Sequence, residues 1–367
     1  MKKWMLGLLA LVFIGAADLL RGLPAKEKTV PEAPKDSVLE KIRAMTPAQK
    51  AGQLMLVGLE GTEPGEDFAK ELQENQYGGV ILFDSNLASA EQTKQLTTKL
   101  QNLSTQSPLL IGVDEEGGQV ARMKGFVLPP PSEAAISRTG DPKQAKQWAE
   151  KTAGKLKTLG FNLNLAPVAD IGSANERSYS NNPATVSRFV NGSLNGYRTA
   201  HLLATLKHFP GLGKGQADTH VDEVVVDADR DTLLREDVKP FQEAMGQFPP
   251  EAFAVMVTHV RYPAFDKENP ASLSKAIMTD LLRGKLHYQG IVMTDDLGMG
   301  AISKHVSMEQ AGVQAVAAGA DLVMICHNPA WIREVHRGLT KAIEDGTLPE
   351  ARVEEALYRV LKAKEGL

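Results

Sequence analysis

Residues 252–259 read AFAVMVTH, and residues 290–296 read GIVMTDD. Each segment is an unbroken apolar run that ends on polar residues, without the alternation typical of a strand that has one face in water. Strands with both faces buried have this composition, and they occur in parallel sheets that are covered by helices. The two segments therefore predict strands of a buried parallel sheet.

Six further segments follow a similar pattern, and amphipathic stretches lie between them. The eight predicted strands are Gln53–Leu59, Gly79–Phe83, Leu109–Asp114, Phe161–Pro167, Leu202–His208, Ala252–His259, Gly290–Asp295 and Asp321–Cys326. Between them, Asp141 and Pro142 are typical of a helix start, and the apolar spacing of residues 234–245 predicts one helix. Eight strand–helix units in about 330 residues favour an α/β fold, a single-domain (β/α)₈ barrel of the TIM type. A doubly wound open sheet is the alternative.

The composition excludes several classes of function. The chain has 367 residues, a formal net charge of -4 and only 5% aromatic residues. This charge and this aromatic content do not suit a nucleic-acid-binding surface, so we expect no nucleic-acid partner. The single cysteine, Cys326, excludes an intrachain disulfide and a cysteine-based metal site.

The N-terminal segment differs from the rest of the chain. Lys2 and Lys3 precede an uncharged apolar run, Trp4–Ala17, that ends in small residues. This pattern predicts that residues 1–23 are a signal peptide, with an N-terminal membrane anchor as the alternative. We expect residues 24–40 to be a linker and residues 41–367 to be the domain. The protein is then exported (periplasmic, cell-envelope or secreted), and any membrane association is through this segment only.

Polar residues follow five of the predicted strands. These residues are Asp114, Asp170, the pair Lys207 and His208, His259, and the pair Asp295 and Asp296. In a (β/α)₈ barrel all strands end at the same face, where the eight loops converge. The pattern therefore predicts one shared active site at that face.

The segment Lys207–Asp222 reads KHFPGLGKGQADTHVD, and its proline and glycines predict a long loop. Asp218 and His220 are two residues apart in this loop, so their side chains can point the same way. A carboxylate beside an imidazole makes a proton carrier that works near neutral pH. The alternatives are an ordinary exposed Asp-x-His pair and a metal site, for which further ligands are not evident.

Asp295 and Asp296 indicate a different chemistry. A carboxylate at the floor of a pocket can attack an anomeric carbon and hold a covalent intermediate. We expect Asp295 to face the pocket and Asp296 to have a structural role. Lys207 at a strand end leaves a Schiff-base aldolase as a rival enzyme class.

The chain also resembles the single-domain β-N-acetylglucosaminidases of glycoside hydrolase family 3, which trim peptidoglycan fragments. The resemblance spans roughly Met45–Leu361 and rests on nine blocks that occur in order. They read GQLMLVGLEG, GGVILFDSN, GVDEEGGQVARM, NLAPVADI, RSYSNNP, KHFPGLG followed by ADTH, VMVTHVRYPAFD, PASLS and GIVMTDDLGMGAI.

The resemblance implies a role for each matching residue. It implies that Asp295 is the nucleophile, that His220 is the general acid/base and that Asp218 orients His220. The residues that it assigns to binding a sugar are Asp114, Arg122, Arg177, Lys207 and His208. It also implies a retaining exo-β-N-acetylglucosaminidase that needs no metal or cofactor, with a GlcNAc-containing glycan or muropeptide as its carbohydrate substrate.

Two departures from the family pattern concern the site. Leu212 stands where the family usually has a histidine, and Gln119 stands where it commonly has an arginine. Both put substrate preference in question, while the predicted nucleophile and the Asp–His pair are intact. Two alternatives stay open. One is a β-glucosidase or β-xylosidase of the same broad family, and the other is a non-catalytic muropeptide-binding barrel.

Overall fold

Eight parallel strands close into a barrel in the computed structural model, which describes residues 36–172, 175–214 and 221–367. The barrel strands are β1 (Met55–Gly58), β2 (Gly79–Leu82), β3 (Leu110–Val113), β6 (Leu163–Asn164), β7 (Leu203–Phe209), β8 (Phe253–Val257), β9 (Val292–Asp296) and β10 (Leu322–Ile325). They follow one another around the barrel in chain order, and β10 pairs with β1 to close it. Every predicted strand overlaps one of them, so the predicted (β/α)₈ TIM-type fold is confirmed and the open sheet is excluded.

Helices surround the strands. The α-helices are α1 (Ser37–Ala44), α2 (Pro47–Gln53), α3 (Glu66–Asn75), α4 (Ala90–Leu103), α5 (Glu133–Ser137), α6 (Pro142–Thr158), α7 (Pro183–Thr199), α8 (Arg230–Arg235), α9 (Lys239–Gln247), α10 (Gly300–Ser303), α11 (Met308–Ala318), α12 (Pro329–Glu344) and α13 (Glu350–Lys364). A π-helix spans Ala276–Lys285, and short 3₁₀ turns span Asp84–Asn86, Pro250–Ala252 and Ala271–Leu273. Across the described ranges, no helix combines the length and the apolar character that crossing a bilayer requires.

The continuous apolar runs have a simple cause, because each barrel strand buries both of its faces. In β10, Leu322 and Met324 point into the barrel, whereas Val323 and Ile325 point outward against the helices. All four are buried. Alternate side chains thus fill two separate layers of core, and neither layer needs a polar residue.

Two boundaries differ from the sequence-based expectations. The domain begins at Ser37 and not at residue 41, because α1 already buries Val38 and Ile42. The helix predicted over residues 234–245 is two helices, α8 and α9, with Asp237 between them. Pro240 lies in the first turn of α9, where its missing N–H leaves no hydrogen bond unmade. The predicted signal or anchor and most of the predicted linker lie outside the described residues.

A short hairpin inserted after β3 was not predicted. Its antiparallel strands are β4 (Glu115–Gly117) and β5 (Val120–Ala121). Gly117 has a φ of +112°, and a Cβ at this position would lie 2.3 Å from the Pro131 carbonyl oxygen. Only glycine suits both the backbone conformation and the close approach. The hairpin brings the chain back over the barrel mouth at Arg122.

The C-terminal helix α13 closes the other end of the barrel. Val360 belongs to the barrel's inner core, and the neighbouring Lys364 is buried. The Lys364 ammonium nitrogen donates to Gln53 Oε1 at 2.8 Å. Burial lowers the pKa of Lys364 to about 7, because an ammonium ion in an apolar environment loses its hydration.

We expect Lys364→Met to change how stability depends on pH. Between about pH 7 and pH 10 the native state binds fewer protons at Lys364 than the unfolded chain, so this lysine destabilises the fold more as the pH falls. The wild-type free energy of unfolding should therefore drop relative to that of the variant by up to about 1.4 kcal/mol per pH unit, and level off below pH 7. Urea unfolding at several pH values measures this. The exposed Lys341→Met is the matched control, and parallel pH profiles for wild type and Lys364→Met would contradict the expectation.

Candidate active site

One pocket, with a volume of about 360 Å³, lies at the carboxyl ends of the barrel strands. Six of the eight predicted site residues line it, namely Asp114, Arg122, Arg177, Lys207, His208 and Asp295. The other two, Asp218 and His220, lie outside the described residues. The structure thus brings together side chains from four separate parts of the chain; Asp114, Lys207, His208 and Asp295 come from the strand-end pattern, and Arg122 and Arg177 from the family resemblance.

One side of the pocket is a polar wall made of Asp114, Glu116, Arg122, Arg177 and Lys207. The buried ammonium of Lys207 is at its centre. Its Nζ lies 2.6 Å from Asp114 Oδ1 and 2.7 Å from Glu116 Oε1. Burial by itself would lower the pKa of Lys207, but the two carboxylates raise it above its usual value. Lys207 is therefore a protonated hydrogen-bond donor. A Schiff-base mechanism needs a free amine, so this environment argues against the aldolase alternative.

Glu116 is a site residue that the sequence analysis missed. Its carboxylate accepts two hydrogen bonds from Arg177, from Nε at 2.8 Å and from Nη2 at 2.7 Å, in addition to that from Lys207. Burial opposes its ionisation, but Lys207 and Arg177 lower the pKa of Glu116 to about 2. It fixes both cations at the pocket wall. The available signal was its place in the DEEGG run directly after β3, next to Asp114.

His208 is held from behind by Asp170. The His208 Nδ1 atom lies 2.6 Å from Asp170 Oδ2, and Asp170 Oδ1 accepts the backbone N–H groups of His208 and Leu212 at 3.1 and 2.7 Å. Asp170 is 1% exposed and does not line the pocket. It therefore positions His208.

The two consecutive aspartates at the end of β9 have separate environments. Asp295 lines the pocket and accepts the Asp296 N–H at 2.8 Å. Burial would raise the pKa of Asp295, but the imidazoles of His259 and His208 and the Asp296 N–H hold it below its usual range. Asp295 is therefore a carboxylate at neutral pH. Its placement agrees with the role expected of it, and that role stays a prediction.

Asp296 and His259 stabilise the strand ends. Asp296 Oδ1 accepts the N–H groups of Gly298 and Cys326 at 2.9 and 3.0 Å, which joins β9 to the chain after β10. His259 is fully buried, with Nδ1 2.7 Å from Ser272 Oγ and Nε2 2.8 Å from the Asp296 carbonyl oxygen. His259 thus fixes the backbone beside Asp295 and does not line the pocket itself.

The inserted hairpin places Arg122 at the mouth. Arg122 Nη2 is 3.5 Å from Asp114 Oδ2, and its guanidinium lies 5.3 Å from the centre of the Phe83 ring. The buried carboxylate of Glu115 accepts the Arg122 backbone N–H at 3.0 Å. Burial raises the pKa of Glu115 to about 7 against the opposing effect of this hydrogen bond. Phe83 in turn packs against His327, with ring centres 4.8 Å apart.

The two departures from the family pattern lie in different surroundings. Leu212 lines the pocket, and its backbone is held by Asp170. Gln119 is exposed in the hairpin turn and does not line the pocket. Leu212 is therefore the departure that can influence ligand preference directly.

The described part of the loop after β7 is firmly anchored. The Tyr262 hydroxyl donates to the Gly211 carbonyl oxygen at 2.7 Å. Lys214 Nζ lies 2.6 Å from both Glu236 Oε2 and Asp237 Oδ2.

Within the described residues, no group of three or more His, Cys, Asp or Glu side chains is arranged to hold a metal ion.

Comparison with known proteins gives consistent matches over most of the chain. The family model described as "Glycosyl hydrolase family 3 N terminal domain" matches residues 46–363. A beta-hexosaminidase of Stenotrophomonas maltophilia is 37% identical over 285 residues, which cover 75% of this chain and 83% of that protein. Beta-hexosaminidase A of Pseudoalteromonas piscicida is 34% identical over 328 residues, which cover 79% of this chain and 53% of that protein.

A solved structure agrees with these matches. The glycoside hydrolase family 3 beta-N-acetylglucosaminidase from Paenibacillus sp. superposes with a TM-score of 0.84 at 36% identity. The match covers 88% of this chain and 63% of that one. The chain thus spans less than two thirds of the Paenibacillus and Pseudoalteromonas proteins.

We expect Glu116→Gln to destabilise the fold through the two cations that Glu116 pairs. Breaking a buried ion pair from one side costs about 3 kcal/mol, because the remaining charges lose their compensation. The pKa of Glu116 is lowered, so its contribution is complete above about pH 4.3, the usual glutamate pKa, and is lost as the pH falls towards 2. The difference in unfolding free energy between wild type and variant should shrink over that range.

Urea unfolding of both proteins from pH 2.5 to pH 7 measures this difference. The matched control is Glu309→Gln, which breaks an exposed pair with Arg337 and should cost no more than about 1 kcal/mol. Equal costs for the two substitutions would show that Glu116 is not the anchor of the polar wall.

Proposed function

The chain belongs to glycosyl hydrolase family 3, and from this premise we propose that it is an exo-β-N-acetylglucosaminidase. In this proposal it removes terminal β-linked N-acetylglucosamine from peptidoglycan fragments or related oligosaccharides. The reaction retains the configuration at the anomeric carbon and proceeds through a glycosyl-aspartate at Asp295. No metal or cofactor takes part.

The observation that carries the proposal is the composition of the pocket at the carboxyl ends of the barrel strands. An ionised carboxylate, Asp295, lies across the barrel mouth from a wall of charged hydrogen-bonding groups. The charged groups of the wall can hydrogen-bond the many hydroxyl groups of a sugar ring. The carboxylate can act as the nucleophile in a substitution at the anomeric carbon. The volume of about 360 Å³ is near the small end of the range for ligand pockets, which suits one sugar unit and an exo mode of action.

Two features favour the N-acetylated sugar over glucose or xylose. The relatives reported above are named beta-hexosaminidases, and the similar Paenibacillus structure is named a beta-N-acetylglucosaminidase. The sequence also has the Asp218-x-His220 pair, which resembles the acid/base pair of this subfamily. Together they support hexosaminidase activity more than the β-glucosidase or β-xylosidase alternative.

In the first step, Asp295 attacks the anomeric carbon and the glycosidic bond breaks. His220 donates its proton to the departing oxygen, while Asp218 stabilises the imidazolium. In the second step, His220 removes a proton from water, which attacks the anomeric carbon and releases Asp295. The two inversions give net retention. Both His220 and Asp218 lie outside the described residues, so these roles rest on the family resemblance.

The polar wall holds the sugar during both steps. Lys207, Arg122 and Arg177 are donors for its hydroxyl groups, and Asp114 is an acceptor. Glu116 lines the pocket and pairs with Lys207 and Arg177, and the buried Asp170 supports His208 from behind. A wall built in advance costs no rearrangement when the substrate binds.

We also propose that the protein is exported. Residues 1–23 have the composition of a signal peptide or an N-terminal anchor, which suits an enzyme that acts on glycans of the cell envelope. Protease added to spheroplasts should cleave the exported protein, or it should be found in the medium, whereas a protein that stays protected inside spheroplasts would contradict the proposed location.

Asp295→Asn should abolish turnover. We expect wild-type protein to hydrolyse 4-nitrophenyl N-acetyl-β-glucosaminide and not the matching β-glucoside. Loss of the nucleophile should lower kcat by about 10⁴-fold or more, as the loss of other catalytic side chains does. Asp280→Asn makes the same change at an exposed position that pairs with Lys275, and it should keep wild-type activity. Hydrolysis of the glucoside would contradict the proposed substrate specificity. An active Asp295→Asn variant would contradict the assignment of Asp295 as the nucleophile.

His220→Ala should separate substrates by the acidity of their leaving groups. A general acid is typically worth about 10²–10⁴ in rate, but a good leaving group departs without it. We therefore expect a large fall in kcat/KM for a disaccharide and a small one for the 2,4-dinitrophenyl glycoside. Added azide should restore turnover and give the β-glycosyl azide. An equal loss on both substrates would argue against His220 as the acid.

A further inference from the structure

A cleft continues from the catalytic pocket along the ends of β10 and β1. Its first part has a volume of about 330 Å³ and shares Cys326 and His327 with the pocket. Its outer part has a volume of about 450 Å³ and shares Gly58, Leu59 and Glu60 with the first part. The three cavities therefore adjoin one another along the strand ends.

The strand order indicates which end of the substrate faces this cleft. Around the closed barrel, β7 is opposite β1, and β3 is opposite β9. Lys207 on β7 and Asp114 after β3 belong to the wall that would hold the sugar hydroxyls. Asp295 on β9 faces that wall from the other side. Because the wall holds the ring hydroxyls, the anomeric carbon lies at the other end of the ring, and the β-linked group bonded to it extends away from β7 and β3, towards β10 and β1, on the face opposite the attacking Asp295.

An aromatic pair forms the border between pocket and cleft. The ring of Phe83 packs against that of His327 at 4.8 Å, and the guanidinium of Arg122 covers Phe83. The residue after His327, Asn328, caps α12 by accepting the Ala330 N–H at 3.0 Å. The backbone that carries His327 is thus fixed. A rigid aromatic surface beside a sugar site suits the apolar face of a second pyranose ring.

Carboxylates outnumber basic groups along the outer cleft, although Glu63 is paired with Lys99 beside it. Among its lining residues, five are acidic and one is basic. The acidic residues are Glu60, Glu63, Glu66, Asp67 and Glu71. The basic residue, Arg333, forms an ion pair with Glu71. A ligand that brings further carboxylates into this cleft meets repulsion from several fixed charges.

We infer that the cleft between the ends of β10 and β1 is the leaving-group site, and that it selects a neutral or amine-bearing leaving group over one that carries carboxylates. The first leaving sugar lies against Phe83 and His327, and its substituents reach the acidic outer part. This inference rests on the proposed exo-N-acetylglucosaminidase activity and specifies its substrate class. The favoured substrates are chitooligosaccharides, including partly deacetylated ones.

Four substrates with the same terminal sugar test the inference on the full-length protein. They are N-acetyl-β-glucosaminyl fluoride, N,N′-diacetylchitobiose, its analogue with a free amine on the leaving sugar, and the disaccharide of N-acetylglucosamine with N-acetylmuramic acid. The fluoride has no leaving group that could reach the cleft. We expect kcat/KM for the muramic acid disaccharide to be about three- to tenfold below that for chitobiose in 0.1 M salt. This gap should close in 1 M salt, where the screening length falls from about 10 Å to about 3 Å.

Variants identify the responsible side chains. Glu60→Gln with Glu66→Gln should raise the ratio of kcat/KM for the muramic acid disaccharide to that for chitobiose by about threefold in 0.1 M salt. Glu74→Gln is the matched control, because Glu74 is exposed on the same helix as Glu66 but does not line the cleft. It should leave the ratio at the wild-type value. His327→Ala should lower the ratio of kcat/KM for chitobiose to that for the fluoride about tenfold.

The outcomes distinguish this inference from the proposed function. Suppose that the fluoride and all disaccharides are hydrolysed, but that the ratios of kcat/KM between disaccharides do not depend on the charge of the leaving sugar, on salt or on the Glu60 and Glu66 substitutions. The leaving group then lies elsewhere, and the inference is wrong. The inference would also be wrong if His327→Ala left unchanged the ratio of kcat/KM for chitobiose to that for the fluoride. If wild-type protein hydrolyses no N-acetylglucosaminide, fluoride included, both the function and the inference are wrong.

Discussion

The buried ammonium of Lys207 is the constraint on which the site depends. Its side chain is 3% exposed, and a charge in that position is tolerable only when opposite charges compensate for its lost hydration. Asp114 and Glu116 supply that compensation, and Glu116 in turn neutralises Arg177. Four charged side chains from three regions of the chain therefore form one network. The strands beneath them have little freedom to move without separating these charges.

The same principle organises the rest of the barrel mouth, where buried carboxylates hold other groups in place. Asp170 orients His208 and the start of the following loop, and Asp296 joins the ends of β9 and β10. His259 fixes the backbone beside Asp295 through the Asp296 carbonyl oxygen. Both aspartates of the β9 end line the pocket, but Asp296 Oδ1 accepts two backbone N–H groups from neighbouring segments, whereas Asp295 accepts the Asp296 N–H. A nucleophile needs this arrangement, since a carboxylate that is fully engaged in structural hydrogen bonds has no free lone pair to attack with.

Much of the fold could be predicted because the barrel strands bury both faces. Apolar runs marked the eight strands, from Gln53–Leu59 to Asp321–Cys326, and the polar residues after five of them marked the face at which the site was predicted. Local rules also found the start of α6 at Asp141 and Pro142. These rules failed between α8 and α9, just before Pro240, because the helical apolar pattern continues there although the helix itself is interrupted. The β4–β5 hairpin was missed because its strands of three and two residues are too short to show a period.

The sequence by itself determined the eight-stranded barrel, its mouth as the location of the site, and the identity of most polar side chains that line the pocket. The barrel and its mouth follow from apolar runs and from the residues at strand ends, and the two arginines follow from the family resemblance; all of these are read from short stretches of the chain. Only the tertiary structure revealed Glu116 as the partner of Lys207 and Arg177, the support of His208 by Asp170, and the acidic cleft that leads out past His327. Each of these depends on distances between residues far apart in the chain. Such distances are set by the closure of the barrel, which the one-dimensional pattern does not encode.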